Sequence, residues 1–231
     1  MRDDFLDPQC RPCTLDIYVI RSAILRALKD AMPRFSGTLV DVGCGDMPYR
    51  SLFTDAGGAV QVYIGLDVDN ALHRKPDLQW NGTTIPLADK TADCILATEV
   101  LEHLPDPGIV LKEICRVLRP GGAFFFTTPF IWPLHEVPND QYRFTPFSLG
   151  RHLWEAGFTE IDVKPLGGWN SALAQMIGLW VRRSLSPGVV RTILTWATLP
   201  VIWGLVKSDR LPTGFTESQM VSGLTGIAVK R

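Results

Sequence analysis

LVDVGCGDMPYR, residues 39–50, holds an apolar run that ends at Asp41-Val42, a turn in which Gly43 and Gly45 flank Cys44, and Pro48 where a third glycine would complete GxGxxG. Glycine serves where a chain must turn tightly, so a lone GxG says little. Its surroundings say more. TLVDV (38–42) reads as a strand, and Asp46 as cap with Pro48 in the first turn are helix-start signals. VQVYIGLD (60–67) reads as a buried strand ending in Asp67, 24 residues beyond Gly43. Strand, glycine turn, helix, and a second strand closed by an acid form a mononucleotide-binding layout, in which the acid accepts hydrogen bonds from ribose hydroxyls.

The same alternation continues along the chain. Residues 16–32 space Ile17, Ile20, Ile24, Leu28 and Met32 as an amphipathic helix. Residues 78–81 and ADCILAT (92–98) read as strands, PGIVLKEICRVL (107–118) as a helix closed by RPGG at 119–122, AFFFTT (123–128) as a strand, and GLTGIAVKR as the last strand. Strands apolar on both faces and separated by helices imply an α/β fold with a mostly parallel sheet covered on both sides. Ligands of such sheets bind at the carboxyl ends of the strands. Asp41 to Gly45, Asp67, Asn81, and Thr98 to His103 stand at those ends.

Composition narrows the classes. With 231 residues, 46% hydrophobic and 20% charged, the chain can bury a sizeable core as one domain over 1–231, with 1–35 as an N-terminal helical segment. A net charge of −1 gives no basic footprint, so nucleic acid is not an expected partner. The acidic N-terminus lacks a signal h-region, and a cytoplasmic location with reduced thiols is expected. Cys10 and Cys13 have no second CxxC to complete a zinc site, and Cys44, Cys94 and Cys115 read as core.

The ligand follows from charge. Asp41 beside the turn would face the pyrophosphate of NAD as like charge against like charge, but it suits a cation. S-adenosylmethionine (SAM) offers a ribose for Asp67, no phosphate, and an ammonium group. DVGCGD, IGLD, the block IPLADKTADCILATEVLEHLPDPGIVLKEICRVLRPGGAFFFTTP, and FTPFSLGRHLWEAGF together resemble class I SAM-dependent methyltransferases, above all the broad small-molecule group that includes the ubiquinone-pathway enzymes. The resemblance covers about residues 38–165 and the last strand. It implies a Rossmann-like, doubly wound, seven-stranded sheet and SAM as cofactor. It also implies that Gly43 and Gly45 approach the methionine and ribose, Asp67 holds the ribose, Asn81 and Gly82 lie near the adenine, and Thr98 and Glu99 sit beside the methyl donor.

Methyl transfer from a sulfonium is an in-line displacement, in which alignment does much and a base is needed only if the acceptor must lose a proton. His135 and His103 are the candidate bases. The loop 130–146, with His135, Glu136, Asp140, Tyr142 and Arg143 among prolines, reads as the acceptor site, Tyr142 and Arg143 contacting the acceptor. Glu99-x-x-Glu102-His103 with a later His also resembles the metal site of small-RNA 2′-O-methyltransferases. Glu99 and Glu102 equally suit a helix start, the basic surface of an RNA enzyme is missing, and the expectation is no metal.

From residue 170 the chain turns strongly apolar. Residues 170–208 read as a helical insertion before the last strand: a cap over the pocket, a homodimer surface, or an amphipathic pair lying on a membrane. The longest uncharged run, Thr192 to Val206, holds Pro200 and is short for a spanning helix. The expected activity is methyl transfer to an oxygen or nitrogen of a small-molecule acceptor, with a glycan- or lipid-linked one suggested by the HE-x-P-x-D-x-x-R-x-T loop. The alternative is a catalytically silent SAM-binding or membrane-recruited partner.

Overall fold

The computed structural model describes residues 4–55, 58–68 and 75–231. Among the described residues, seven strands form one sheet in the order β3-β2-β1-β4-β5-β7-β6. They are β1 (Gly37–Val42), β2 (Val60–Asp67), β3 (Leu78–Gln79), β4 (Ala92–Thr98), β5 (Leu118–Pro129), β6 (Phe158–Leu166) and β7 (Gly223–Lys230). The pairings among β1 to β5 are parallel, and β7 runs antiparallel between β5 and β6. The α/β architecture expected from the alternation is the one observed.

Side-chain alternation assigns the two faces. Val40, Val42, Ile95, Ala97, Phe124 and Phe126 join a core with α3 (Pro107–Val117) and α4 (Pro146–Glu155). Leu39, Cys94, Leu96 and Phe125 pack on the other side with α1 (Tyr18–Ala31) and Phe53 of α2 (Arg50–Thr54). The caps were written in the sequence. Asp106 accepts from the amides of Gly108 and Ile109 ahead of Pro107, and Thr145 and Ser148 form a capping box around Pro146.

Three local expectations are corrected. The helix after the glycine turn starts at Arg50, not at Asp46: Met47 takes a left-handed φ of 55° to bury its side chain, so the turn runs on to Tyr49. The RPGG segment lies inside β5, because α3 ends at Val117 and the strand starts at Leu118. The uncharged run of 192–206 belongs to a longer helix, α6 (Val189–Lys207), whose 19 residues and mean hydropathy of 1.6 make it long and apolar enough to cross a membrane by length and composition. At 1.5 Å per residue it spans about 28 Å.

α6 follows α5 (Trp169–Leu179) and a wide helical turn at Trp180–Ser184, and the pair packs on the N-terminal segment. Ile202 and Ala174 are buried with Leu15 and Val19. A Cβ at Gly178 would lie 2.0 Å from the Leu15 carbonyl oxygen, which fixes glycine there. Arg183 pairs with Asp16 at 2.7 Å and Arg182 approaches it at 3.9 Å. Both arginines thus lean on an acid of the N-terminal segment, Arg183 while half exposed.

Candidate functional site: the cavity over the carboxyl ends of the strands

A cavity of about 510 Å³ opens over the carboxyl ends of β1, β2 and β4. Its volume is in the range of small-molecule sites. Asp41, Gly43, Gly45, Asp67, Gly82, Thr98, Glu99, His103 and His135 all reach its wall.

The two glycines do different work. A Cβ at Gly43 (φ 68°) would lie 2.5 Å from Val100 Cγ2, so this glycine serves packing. Gly45 (φ 49°) has nothing within 4 Å of its virtual Cβ, which leaves room for a ligand against the backbone. The Gly45 amide donates to Asp67 Oδ2 at 2.7 Å, and Val68 N donates to Oδ1 at 2.7 Å. Each carboxylate oxygen keeps a further lone pair for a ribose hydroxyl.

Asp41 is buried; it accepts a hydrogen bond from the Tyr63 hydroxyl through Oδ2, while Oδ1 has no partner among the described residues. Burial pushes its carboxyl up to about 7, against the lowering by Tyr63 and with a smaller push from Asp67. A buried acid with an open oxygen on a cavity wall is a receptor for a cation. Glu99 has a left-handed φ of 56°, a conformation that persists at functional sites when its surroundings enforce it. Thr127 Oγ1 donates to its Oε1 at 2.8 Å, and desolvation lifts its carboxyl to about 7.

Asn81 is corrected. Its Oδ1 accepts from Thr83 N, Thr83 Oγ1 and Thr84 N at 2.8–3.0 Å, closing a turn, and the side chain does not reach the cavity. Trp80, whose buried indole N–H has no partner among the described residues, lines the cavity beside Gly82. The sequence reading missed it because a tryptophan in a short strand resembles ordinary core.

The 130–146 loop splits into wall and support. His135, Glu136, Asn139 and Trp132 reach the cavity. Tyr142 and Arg143 do not. Tyr142 stacks on Phe144 and donates to the Pro105 carbonyl at 3.2 Å. Arg143 grips Asp140 with two hydrogen bonds, at 2.6 and 2.8 Å, and that carboxylate lies 3.3 Å from His135 Nδ1. Both are positioning residues here, and the Arg143 bonds hold the Asp140 carboxyl down at about 2.

The strongest departure is at Glu102. It sits in a one-turn 3₁₀ helix, Leu101–His103, is fully buried, and neither carboxylate oxygen has a hydrogen-bond partner among the described residues. It is therefore not a solvated helix-start acid. Glu102, His103 and His135 bring ligand atoms within 4.8 Å of one another, whereas Glu99 is turned to Thr127 and stands outside this group.

Residues 40–126 match the family model described as a methyltransferase domain. Over this segment the chain is similar to methyltransferase domains. An uncharacterized methyltransferase of Mycobacteroides abscessus is 35% identical over 121 residues, which is 46% of this chain and 46% of the relative. The chain thus spans about half the length of the curated relatives that it matches. The methyltransferase fold extends beyond the matched segment. A SAM-dependent methyltransferase of Thermotoga maritima, described as a possible histamine N-methyltransferase, superposes with a TM-score of 0.59 at 18% identity, covering 92% of this chain and 91% of that one. Phosphoethanolamine N-methyltransferase 2 of Haemonchus contortus, solved with SAM, superposes with a TM-score of 0.54 at 13% identity, covering 99% and 59%.

Proposed function

We propose that the chain transfers a methyl group from SAM to an oxygen or nitrogen of a small-molecule acceptor. One observation carries this reading: a single cavity runs from the Gly45 turn and Asp67 to the wall of His103 and His135, so donor and acceptor share one space. Asp67 would hold the ribose, the backbone at Gly45 would lie against the methionine part, and Asp41 would face the ammonium group. The sulfonium methyl would stand near Thr98 and Glu99. The methyl carbon then leaves sulfur as the acceptor lone pair bonds to it, and a proton released by the acceptor can pass to an imidazole. Calorimetry with SAM, S-adenosylhomocysteine and NAD tests the donor half: the first two should bind and NAD should not. Tight binding of NAD alone would overturn the reading.

The acceptor half of the proposal concerns a lipid surface. α6 exposes Val189, Ile193, Trp196, Val201 and Trp203, α5 adds Trp169, Leu173 and Met176, and the turn after it adds Trp180. Such tryptophan-rich apolar area suits the interfacial zone of a bilayer. The turn between these helices approaches the site, because the Arg183 guanidinium lies 5.7 Å from the ring centre of Trp132 on the cavity wall. A protein resting on α5 and α6 would present its cavity to a lipid-linked acceptor.

A further inference from the structure

We propose that Glu102, His103 and His135 bind one divalent first-row transition cation on the acceptor wall of the cavity. Two histidine nitrogens and a carboxylate oxygen lie within 4.8 Å of one another. Tetrahedral ligands at zinc-like bond lengths stand about 3.3 Å apart, so a small inward movement completes the set.

Glu102 is the observation that requires an occupant. A fully buried carboxylate whose two oxygens find no hydrogen-bond partner among the described residues is costly in any charge state, and His103 Nε2 stands 3.8 Å from its Oε1. A bound cation would satisfy an oxygen of this carboxylate.

The histidines are oriented as ligands are. His103 Nδ1 lies 3.3 Å from the Asn139 carbonyl, and His135 Nδ1 lies 3.3 Å from Asp140 Oδ2. Each Nδ1 donating outward leaves Nε2 with its lone pair for a metal, the arrangement by which outer partners fix the tautomer of ligating histidines. The two rings stand edge to face at 4.6 Å. Glu136 Oε2 lies 3.9 Å from His103 Nε2, on the solvent side of the group. Three protein ligands leave positions for water or an acceptor oxygen, whose proton the cation would make more acidic. The two imidazoles would then be ligands rather than bases.

The test reads the metal directly and needs no turnover, so it stands or falls apart from methyl transfer. The full chain, without a histidine tag and stripped with EDTA, is titrated with Co²⁺ by calorimetry and followed by visible absorption and thermal melting. One equivalent should bind, with cobalt bands and a raised melting temperature. Glu102→Gln and His135→Ala, both checked for folding by circular dichroism of the metal-free protein, should each weaken binding by at least about tenfold. Absence of Co²⁺ binding to the folded wild type would overturn the site. So would unchanged binding by either folded variant.

Discussion

Gly45 donates its amide hydrogen to Asp67 Oδ2 at 2.7 Å, which makes the glycine turn and the end of β2 one rigid unit. Asp67→Ala should therefore weaken SAM binding in calorimetry by about 1–3 kcal/mol, through the lost ribose hydrogen bonds and a loosened turn. Gly43→Ala and Gly45→Ala should behave differently from each other. The first puts a Cβ into Val100 and should lower the melting temperature, whereas the second opens onto the cavity and should chiefly reduce SAM affinity.

Asp41 gives a pH signature. Its folded-state carboxyl lies near 7, against an unfolded value of about 4, so the folded chain holds an extra proton between these limits. Stability from this group is present below about pH 4 and falls as pH rises toward about 7, by up to about 1.4 kcal/mol per pH unit. Asp41→Asn should flatten that slope in denaturant titrations at several pH values. SAM affinity should rise over the same window, because the ionised acid faces the ammonium group. A slope unchanged in the variant would show that Asp41 is ionised throughout.

Arg143 and His135 should separate in function. Arg143→Ala leaves the buried Asp140 carboxylate without its two strong donors and should cost about 1–3 kcal/mol of stability, together with a fall in kcat from a misplaced His135. Asp140 contributes stability that is present above its unfolded value near 4 and is lost as pH falls toward about 2. His135→Ala should reduce turnover with little change in stability or SAM affinity. Equal melting temperatures for wild type and Arg143→Ala would contradict the supporting role.

The sheet was legible because Leu39-Val40, Ile95-Leu96 and Phe124-Phe125 carry apolar side chains on both faces, which only a buried parallel sheet satisfies. The turn and its acid were legible because their spacing is tied to one backbone geometry. Side-chain direction within loops was not. Tyr142 and Arg143 carry the chemistry of an acceptor site, yet Asp140, three residues before Arg143, captures the guanidinium. Asn81 has the chemistry to hold an adenine, but its oxygen is used by the amides that follow it. Glu102 reads as a helix-start acid until the 3₁₀ turn at 101–103 rotates it inward, and no local pattern announces that turn.

The last prediction concerns α6. Trp196 is 63% and Trp203 51% exposed, while Ile202 between their turns is fully buried. Trp196→Glu with Trp203→Glu should therefore keep the fold and abolish co-sedimentation with vesicles, and Ile202→Glu should destabilise the protein itself. Tryptophan emission of the wild type should shift to the blue on adding vesicles. Because Asp16 already engages Arg183 and lies near Arg182, the anionic-lipid and salt dependence should be shallow, carried mainly by Arg191 and Lys207 at the ends of α6. Apolar burial would then supply most of the binding, and neutral vesicles should retain a large part of it. Failure to bind either vesicle type, with sedimentation showing a dimer that the double tryptophan variant dissolves, would assign this face to a second copy of the chain instead.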